Sequence, residues 1–375
     1  MKIKKYPLLV ATLLVSTFVV IAQQAELEPN PAKLRQHVTH LASDAMDGRR
    51  TGTAGADAAA RYIADEFSKL GLRPAVAKYM QPFPYVASVE IGKGNMLMAR
   101  MHAYMSFSAG KDWMPLGFSA NGTVENAPAI LVGYGITASD LNHNDYSSSK
   151  VAGRVAIALS GTPDGDNPHS RFALHEDVRW KAVAARNAGA KALIVVARET
   201  NFADDKLSKL RYDNNSGDAG IPVITISRQA ARDLLNKSIE SIEEAAKTKS
   251  EAAYAELPWK ISLDVDVIRR EVPAYNVVGL LEGSDPVLKN EHIVIGAHYD
   301  HLGRGGEGSL TPNSGDIHHG ADDNASGTAG LIELARVFSE QKPKLKRSII
   351  FIAFGGEEEG LLGSNYYVNH PVAPL

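Results

Sequence analysis

Apolar positions recur every three to four residues between 56 and 70, at Ala59, Tyr62, Ile63, Phe67 and Leu70. That period predicts an amphipathic helix. Gly71 stands where a helix-ending glycine belongs, and Pro74 follows. A shorter pattern at Leu34, Val38 and Leu41 predicts helix over 31–47, and the loop "GRRTGTAG" (48–55) separates the two. Residues 82–136 change period: Val, Ile, Met and Tyr alternate with polar residues, as in strands. Further on, "KALIVVA" (191–197) and "IPVITIS" (221–227) read as buried strands, with a helix near 174–188 that stops at Gly189. The stretch 242–257 reads as a linker or a surface helix. From 275 the texture becomes strand, helix, strand, helix: "EHIVIGAHYD", 325–340, 347–356 and 359–370. Apolar strands alternating with helices predict a sheet covered on both faces.

The first residues stand apart from this pattern. Lys2, Lys4 and Lys5 precede an apolar run of 17 residues (6–22) that closes on Val20-Ile21-Ala22. This reads as a cleaved secretory signal peptide, so a periplasmic or secreted protein is expected, with no stable membrane anchor. The run is short beside the roughly 20 residues that span a bilayer. There is no cysteine, which excludes a lipid-modified cysteine, disulfides and thiolate-bound metal. Loss of the leader would leave 37 basic against 43 acidic residues. That balance argues against nucleic acid or an anionic membrane as partner.

Three clusters carry candidate chemistry. "GAHYDHLG" closes one strand with His298 and Asp300; "GADDNASG" opens a helix with Asp322 and Asp323; "GGEEEG" closes the next strand with Glu357, Glu358 and Glu359. Each alone has an ordinary explanation. A lone H-x-D is commonly a packed histidine, paired aspartates commonly cap a helix, and a run of glutamates is commonly a solvated helix start. All three occur where ligands bind in α/β folds, at the carboxyl ends of strands or at a helix start. Imidazole and carboxylates without thiolate suit zinc or a related divalent ion.

In "GAHYDHLG", "GADD" followed by "NASG", and "GGEEEGLLGS", the chain resembles the co-catalytic di-zinc exopeptidases of the aminopeptidase Y and bacterial leucyl aminopeptidase type. That family also holds glutamate carboxypeptidase, the transferrin receptor and glutaminyl cyclase. Residues 127–197 resemble the protease-associated domain often inserted in these enzymes, through "VGYGI", "DYSSSKVAGRVAIALSG" and "KAVAARNAGAKALIVV". The resemblance implies an α/β zinc exopeptidase fold, a mixed sheet with helices on both faces, plus a β-rich insert. The domain order expected is a signal peptide at 1–22, an N-terminal part of the peptidase at 23–117, the insert and linker at 118–257, and a metal-binding part at 258–375.

It implies roles as well. His298 would be a terminal ligand of one zinc and Asp323 would bridge two. Glu358 would be a terminal ligand of the other, and Glu357 the general base acting on the attacking water. Asp300 would orient the His298 imidazole, and Glu359 would be dispensable. Cobalt or manganese could replace zinc. The expected substrate is a peptide, cleaved at its N-terminal bond.

The chain departs from that pattern in one respect. The family takes two more ligands, an aspartate and a histidine, beyond the glutamate pair. Here no aspartate follows Asp323, and His370 is the only histidine after Glu358, which lies 17 residues before the last residue. The expectation is a sheet and ligand set incomplete at the C-terminus, with reduced activity. His370 reads as a helix C-terminal residue. His301, His318 and His319 read as loop histidines rather than ligands, and His169 and His175 belong to the insert. "GRGGEG" (303–308) has dinucleotide-loop spacing but no helical pattern after it. Two other readings stay open: a non-catalytic binding protein on the same scaffold, and a carboxypeptidase.

Overall fold

The computed structural model describes residues 28–374 except 148–149, 166, 168, 215–216, 306–308, 312–313 and 342–344. The leader at 1–22 and the end of the glycine run at 306–308 lie outside the described residues. In chain order the helices are α1 (Pro31–Leu41), α2 (Ala54–Lys69), α3 (Val178–Asn187), α4 (Arg228–Leu235), α5 (Ile239–Lys247), α6 (Gly327–Glu340) and α7 (Leu362–Asn369). The principal strands are β1 (Arg73–Pro74), β2 (Met80–Ile91), β3 (Met96–Arg100), β4 (Tyr104–Phe107), β5 (Trp113–Pro115), β6 (Gly122–Leu131), β7 (Val155–Leu159), β8 (Ala192–Val196), β9 (Val223–Ile226), β10 (Glu256–Val265), β11 (Val267–Leu281), β12 (His292–His298) and β13 (Ser348–Phe354). No described helix is long and apolar enough to cross a membrane.

The chain forms two compact units, one of residues Met1–Tyr85 with Glu271–Leu375 and one of Val86–Arg270. The second unit is wider than the 118–257 segment read from sequence. Its eight-stranded sheet runs β4-β3-β10-β6-β7-β8-β9-β5, so β3 and β4 at one end of the chain segment and β10 at the other belong to it.

In the first unit the sheet order is β1-β11-β13-β12, with β2 paired to β11. β11 is antiparallel to β13 and β12 is parallel to it. A parallel pair needs a crossover, and α6 supplies it. Side chains alternate across β13. Ile349, Phe351 and Ala353 pack with Ala59, Ile63 and Phe67 of α2 and with Leu331 and Ala335 of α6. Ile350 and Ile352 face the other way, toward Val278, Leu280 and Tyr367 of α7. The sheet is thus covered on both faces. β12 ends the described sheet, with Ile293 and Val294 exposed.

α2 forms where its pattern predicts. Thr53 caps it by accepting from the Ala56 N–H, Asp57 favours the positive end of the helix dipole, and Ala56, Ala59, Ala60, Ile63 and Phe67 make one buried face. Gly71 takes φ +73° just past its end. The predicted helix over 31–47 is shorter. It stops at Leu41, and Asp44–Arg49 coil more tightly with Asp47 and Gly48 at positive φ.

In the second unit β6, β7, β8 and β9 are successively parallel. Ile194 and Val196 of β8 face α4 and α5, and Leu193 and Val195 face α3. The segment read as linker or surface helix is α5, buried along Ile239, Ile242 and Ala246, and β10 follows it into the sheet.

Lys181 of α3 is buried, its ammonium donating to the carbonyls of Leu159 (2.9 Å) and Gly161 (2.6 Å). Burial, partly opposed by Asp145 and Glu176, pushes its pKa down from 10.5 to about 7. The unfolded chain then binds this proton more tightly, so Lys181 costs stability below about pH 7 and the cost disappears as pH rises toward 10.5. Relative to Lys181→Met, the wild-type chain is expected to gain about 1.4 kcal/mol per pH unit above about pH 7. Urea unfolding of both proteins at pH 6, 8 and 9 checks this. A constant difference across that range would show the buried amine does not titrate.

Candidate metal centre

The site grows from the register of two parallel strands. His298 at the end of β12 lies opposite Phe354 at the end of β13. The chain leaving each strand therefore emerges side by side, Tyr299–His301 next to Gly355–Glu358. The crossover helix α6 begins at the same end, and the turn Ala321–Ser326 ahead of it carries Asp322 and Asp323. The peptide between Asp323 and Asn324 is cis.

Asp300 sits beneath these loops, fully buried. Its carboxylate accepts from the backbone N–H groups of Glu357 (3.1 Å) and Glu358 (3.3 Å) and from the Thr51 hydroxyl (3.0 Å). Burial pushes its pKa up to about 6 while these donors and His298 pull the other way. Asp300 thereby pins the turn after β13, from which Glu357 and Glu358 diverge. The sequence reading has Asp300 orient His298. In the structure His298 Nδ1 is 3.8 Å from Asp300 Oδ1, beyond hydrogen-bond length. That Nδ1 is buried without a hydrogen-bond partner.

Above Asp300 two donor groups share one carboxylate. His298 Nε2 lies 3.2 Å from Asp323 Oδ1 and 3.9 Å from Glu357 Oε2. On the other side His301, Asp323 and Glu358 each offer an atom within 4.8 Å of the others, with His301 Nδ1 2.7 Å from Glu358 Oε1. Two imidazoles and three carboxylates converging on one opening are the donor types that suit a divalent metal. The orphaned His298 Nδ1 beside a buried carboxylate fits it too, because metal-bound histidines commonly direct the second ring nitrogen at an acid.

The structure thus brings together every sequence-predicted residue: His298, Asp323, Glu357 and Glu358 at the surface of the site and Asp300 below. It also brings in His301, which reads as a loop residue in the sequence. The signal was its place directly after Asp300. A buried aspartate flanked by His298 and His301 leaves both rings facing the same opening, and the His301 N–H is held by the Arg49 carbonyl (3.2 Å).

The other candidates fall outside. Asp322 is exposed and does not join the donor group. His318 bonds Ser309 Oγ (3.0 Å) and His319 bonds Asp44 (2.8 Å). His370 caps α7 and stacks on Tyr366. Glu359 pairs with Arg50 at 3.2 Å; at its partial exposure such a pair contributes roughly 0–1 kcal/mol.

Comparison with known proteins agrees with this geometry. Residues 276–374 match Peptidase family M28, and residues 123–234 match the PA domain. The Pseudomonas aeruginosa (strain UCBPP-PA14) protein named Aminopeptidase is 27% identical over 345 residues, covering 91% of this chain and 54% of that protein. Aminopeptidase YwaD of Bacillus subtilis (strain 168) is 26% identical over 347 residues, covering 91% and 58%. The chain therefore spans a little over half the length of these curated relatives. A solved structure, the aminopeptidase from Aneurinibacillus sp. strain AM-1, superposes with a TM-score of 0.47 at 23% identity, covering 91% of this chain and 66% of that one. Over 94 residues, 24% of this chain and 17% of its relative, a protein of Pyrenophora teres f. teres named Probable zinc metalloprotease is 43% identical. The metal-centre segment, residues 276–374, is thus similar to peptidase family M28, and residues 123–234 are similar to the PA domain.

Proposed function

We propose that the protein is a zinc aminopeptidase that holds two ions. The observation that carries this reading is the position of Asp323, in reach both of His298 and of the His301–Glu358 pair. A carboxylate common to two donor groups suits a bridging ligand, with His298 completing one side and Glu358 with His301 the other. The names of the Pseudomonas and Bacillus relatives support aminopeptidase, and that of the Pyrenophora protein supports zinc.

When bound, zinc supplies a Lewis acid that makes water acidic near neutral pH. The chain supplies the rest. Glu357 is half-exposed at the rim of the donor groups, where its carboxylate takes the proton of the attacking water and hands it to the leaving amine. Asp300 holds Glu357 and Glu358 in register through their backbone N–H groups, so one carboxylate serves the ion and its neighbour the proton. The apolar leader adds a location: the enzyme works in the periplasm or outside the cell.

The test is metal analysis of the purified chain together with hydrolysis of peptides blocked at one terminus. Two zinc ions per chain are expected, with cleavage of C-terminally amidated peptides and none of N-acetylated ones, and loss of activity in chelator. Cleavage of only the N-acetylated peptides would make it a carboxypeptidase. Zinc bound without hydrolysis would make this chain a binding protein.

A further inference from the structure

We propose that Arg49 is a positioning residue of the metal centre: its guanidinium ties the loop that carries His301 to the loop that carries Asp323. The inference rests on the zinc reading above. Arg49 is fully buried, and among the described residues it forms no ion pair. Its donors go to backbone carbonyls. Nε donates to Tyr299 (2.7 Å), Nη1 to His319 (2.8 Å) and to Leu41, and Nη2 to Gly320 (2.9 Å). Tyr299 leads directly into Asp300 and His301. His319 and Gly320 lead directly into Asp322 and Asp323. One planar group therefore spaces the two donor-bearing loops, and only a guanidinium has enough donors in a fixed fork to do so.

The backbone around Arg49 supports the same role. Asp47, Gly48 and Arg49 take φ of +49°, +69° and +53°. Such conformations are unfavourable for non-glycine residues and persist where surrounding contacts impose them. Here the contacts are with the site loops: the Gly48 carbonyl accepts from Gly303 N–H (3.0 Å) and the Arg49 carbonyl from His301 N–H. A Cβ on Gly48 would come within 2.4 Å of the Gly303 carbonyl oxygen. Gly320 is equally constrained, at φ +56° with the His301 ring 2.5 Å from where its Cβ would lie.

A cation near a metal site also has an opposite effect. Asp300, Asp323 and Glu358 all feel the Arg49 charge, so it balances these carboxylates and repels an incoming dication. The two effects have opposite signs on zinc affinity, which makes the role measurable. Removing a mere charge would tighten zinc; removing a brace would loosen it.

The experiment is zinc affinity by chelator competition, with the visible spectrum of the cobalt-loaded chain, for wild type, Arg49→Met and Arg49→Lys. Thermal unfolding of the metal-free proteins runs alongside. Arg49→Met is expected to bind zinc about 10–100-fold more weakly, the range for losing a group that orients ligands, and to change the cobalt band. Arg49→Lys keeps the charge without the fork and is expected to weaken zinc about tenfold. A folded Arg49→Met protein that binds zinc as tightly as wild type, or more tightly, overturns the proposal. Should that variant not fold, unchanged affinity in Arg49→Lys overturns it. A wild-type chain that binds no zinc brings down the metal reading and this inference together, whereas wild-type binding with unaffected variants brings down this inference alone.

Discussion

Glu357→Gln is expected to lower kcat by about 10²–10⁴-fold, the usual worth of a positioned general base, while leaving zinc content at the wild-type level. At about 1.36 kcal/mol per tenfold this is roughly 3–5 kcal/mol of barrier. The amide keeps the size and hydrogen-bonding reach of the carboxylate but cannot accept the water's proton. It should not empty the site, because the closest donor group is His301, Asp323 and Glu358, and Glu357 lies 3.9 Å from His298. The backbone N–H of residue 357 still donates to Asp300, so the turn keeps its shape. Steady-state kinetics and metal analysis on the same preparation separate the outcomes. Wild-type kcat would remove Glu357 from the proton path. Loss of zinc with loss of rate would make it a ligand instead.

Asp323→Ala is expected to have the largest effect on metal. Among the described residues it removes the carboxylate common to both donor groups, so both ions should be lost or weakened together. Deleting even a group that only orients a ligand costs about 10–100-fold in affinity, and loss of a shared ligand should exceed that. The neighbouring Asp322→Ala is the control. Asp322 has the same chemistry, one residue away and exposed, but stands outside the donor group. Isothermal titration with zinc should show the first variant nearly silent and the second close to wild type. Equal weakening in both would mean that general negative charge, not ligation by Asp323, attracts the cation. The contrast is sharp because Asp323 is itself largely exposed and lies in a turn rather than in the core. Its loss should change metal binding far more than folding.

Much of this centre was legible in the residues. Helix α2 is legible through its 3.6-residue apolar period and terminal glycine, local features that the structure bears out, and the structure adds the Thr53 cap. The strands and helices after residue 275 were legible for the same reason. The three clusters that hold His298, Asp323, Glu357 and Glu358 stand out because each closes a strand or opens a helix beside glycine, and such chain ends converge in α/β sheets; which member of each cluster would bind metal is what the family resemblance implies.

What remained hidden depended on long-range geometry. β3, β4 and β10 belong to one sheet although more than 140 residues separate β4 from β10 in the chain; strand pairing across such distances leaves no local periodicity. Residues 242–257 read as a linker or a surface helix because isolated apolar positions such as Ile242 and Ala246 in a polar segment mean little until a sheet face covers them, as it does for α5. Asp300 is expected to orient His298, whose Nδ1 lies 3.8 Å away; only the structure shows that it also accepts from Thr51 and from the backbone of Glu357 and Glu358, which the parallel register of β12 and β13 brings alongside.

By itself the sequence determined the element types, the absence of thiolate chemistry and the kinds of donor atom available, because these follow from residue identity and short-range period. Only the tertiary structure decided which groups meet: that His301 lies against Glu358, that Asp323 lies near both histidines, and that buried Arg49 donates to the carbonyls of Tyr299 and Gly320 in both loops. Those are distances between segments far apart in the chain, and they are set by strand register and packing rather than by any residue's own preference.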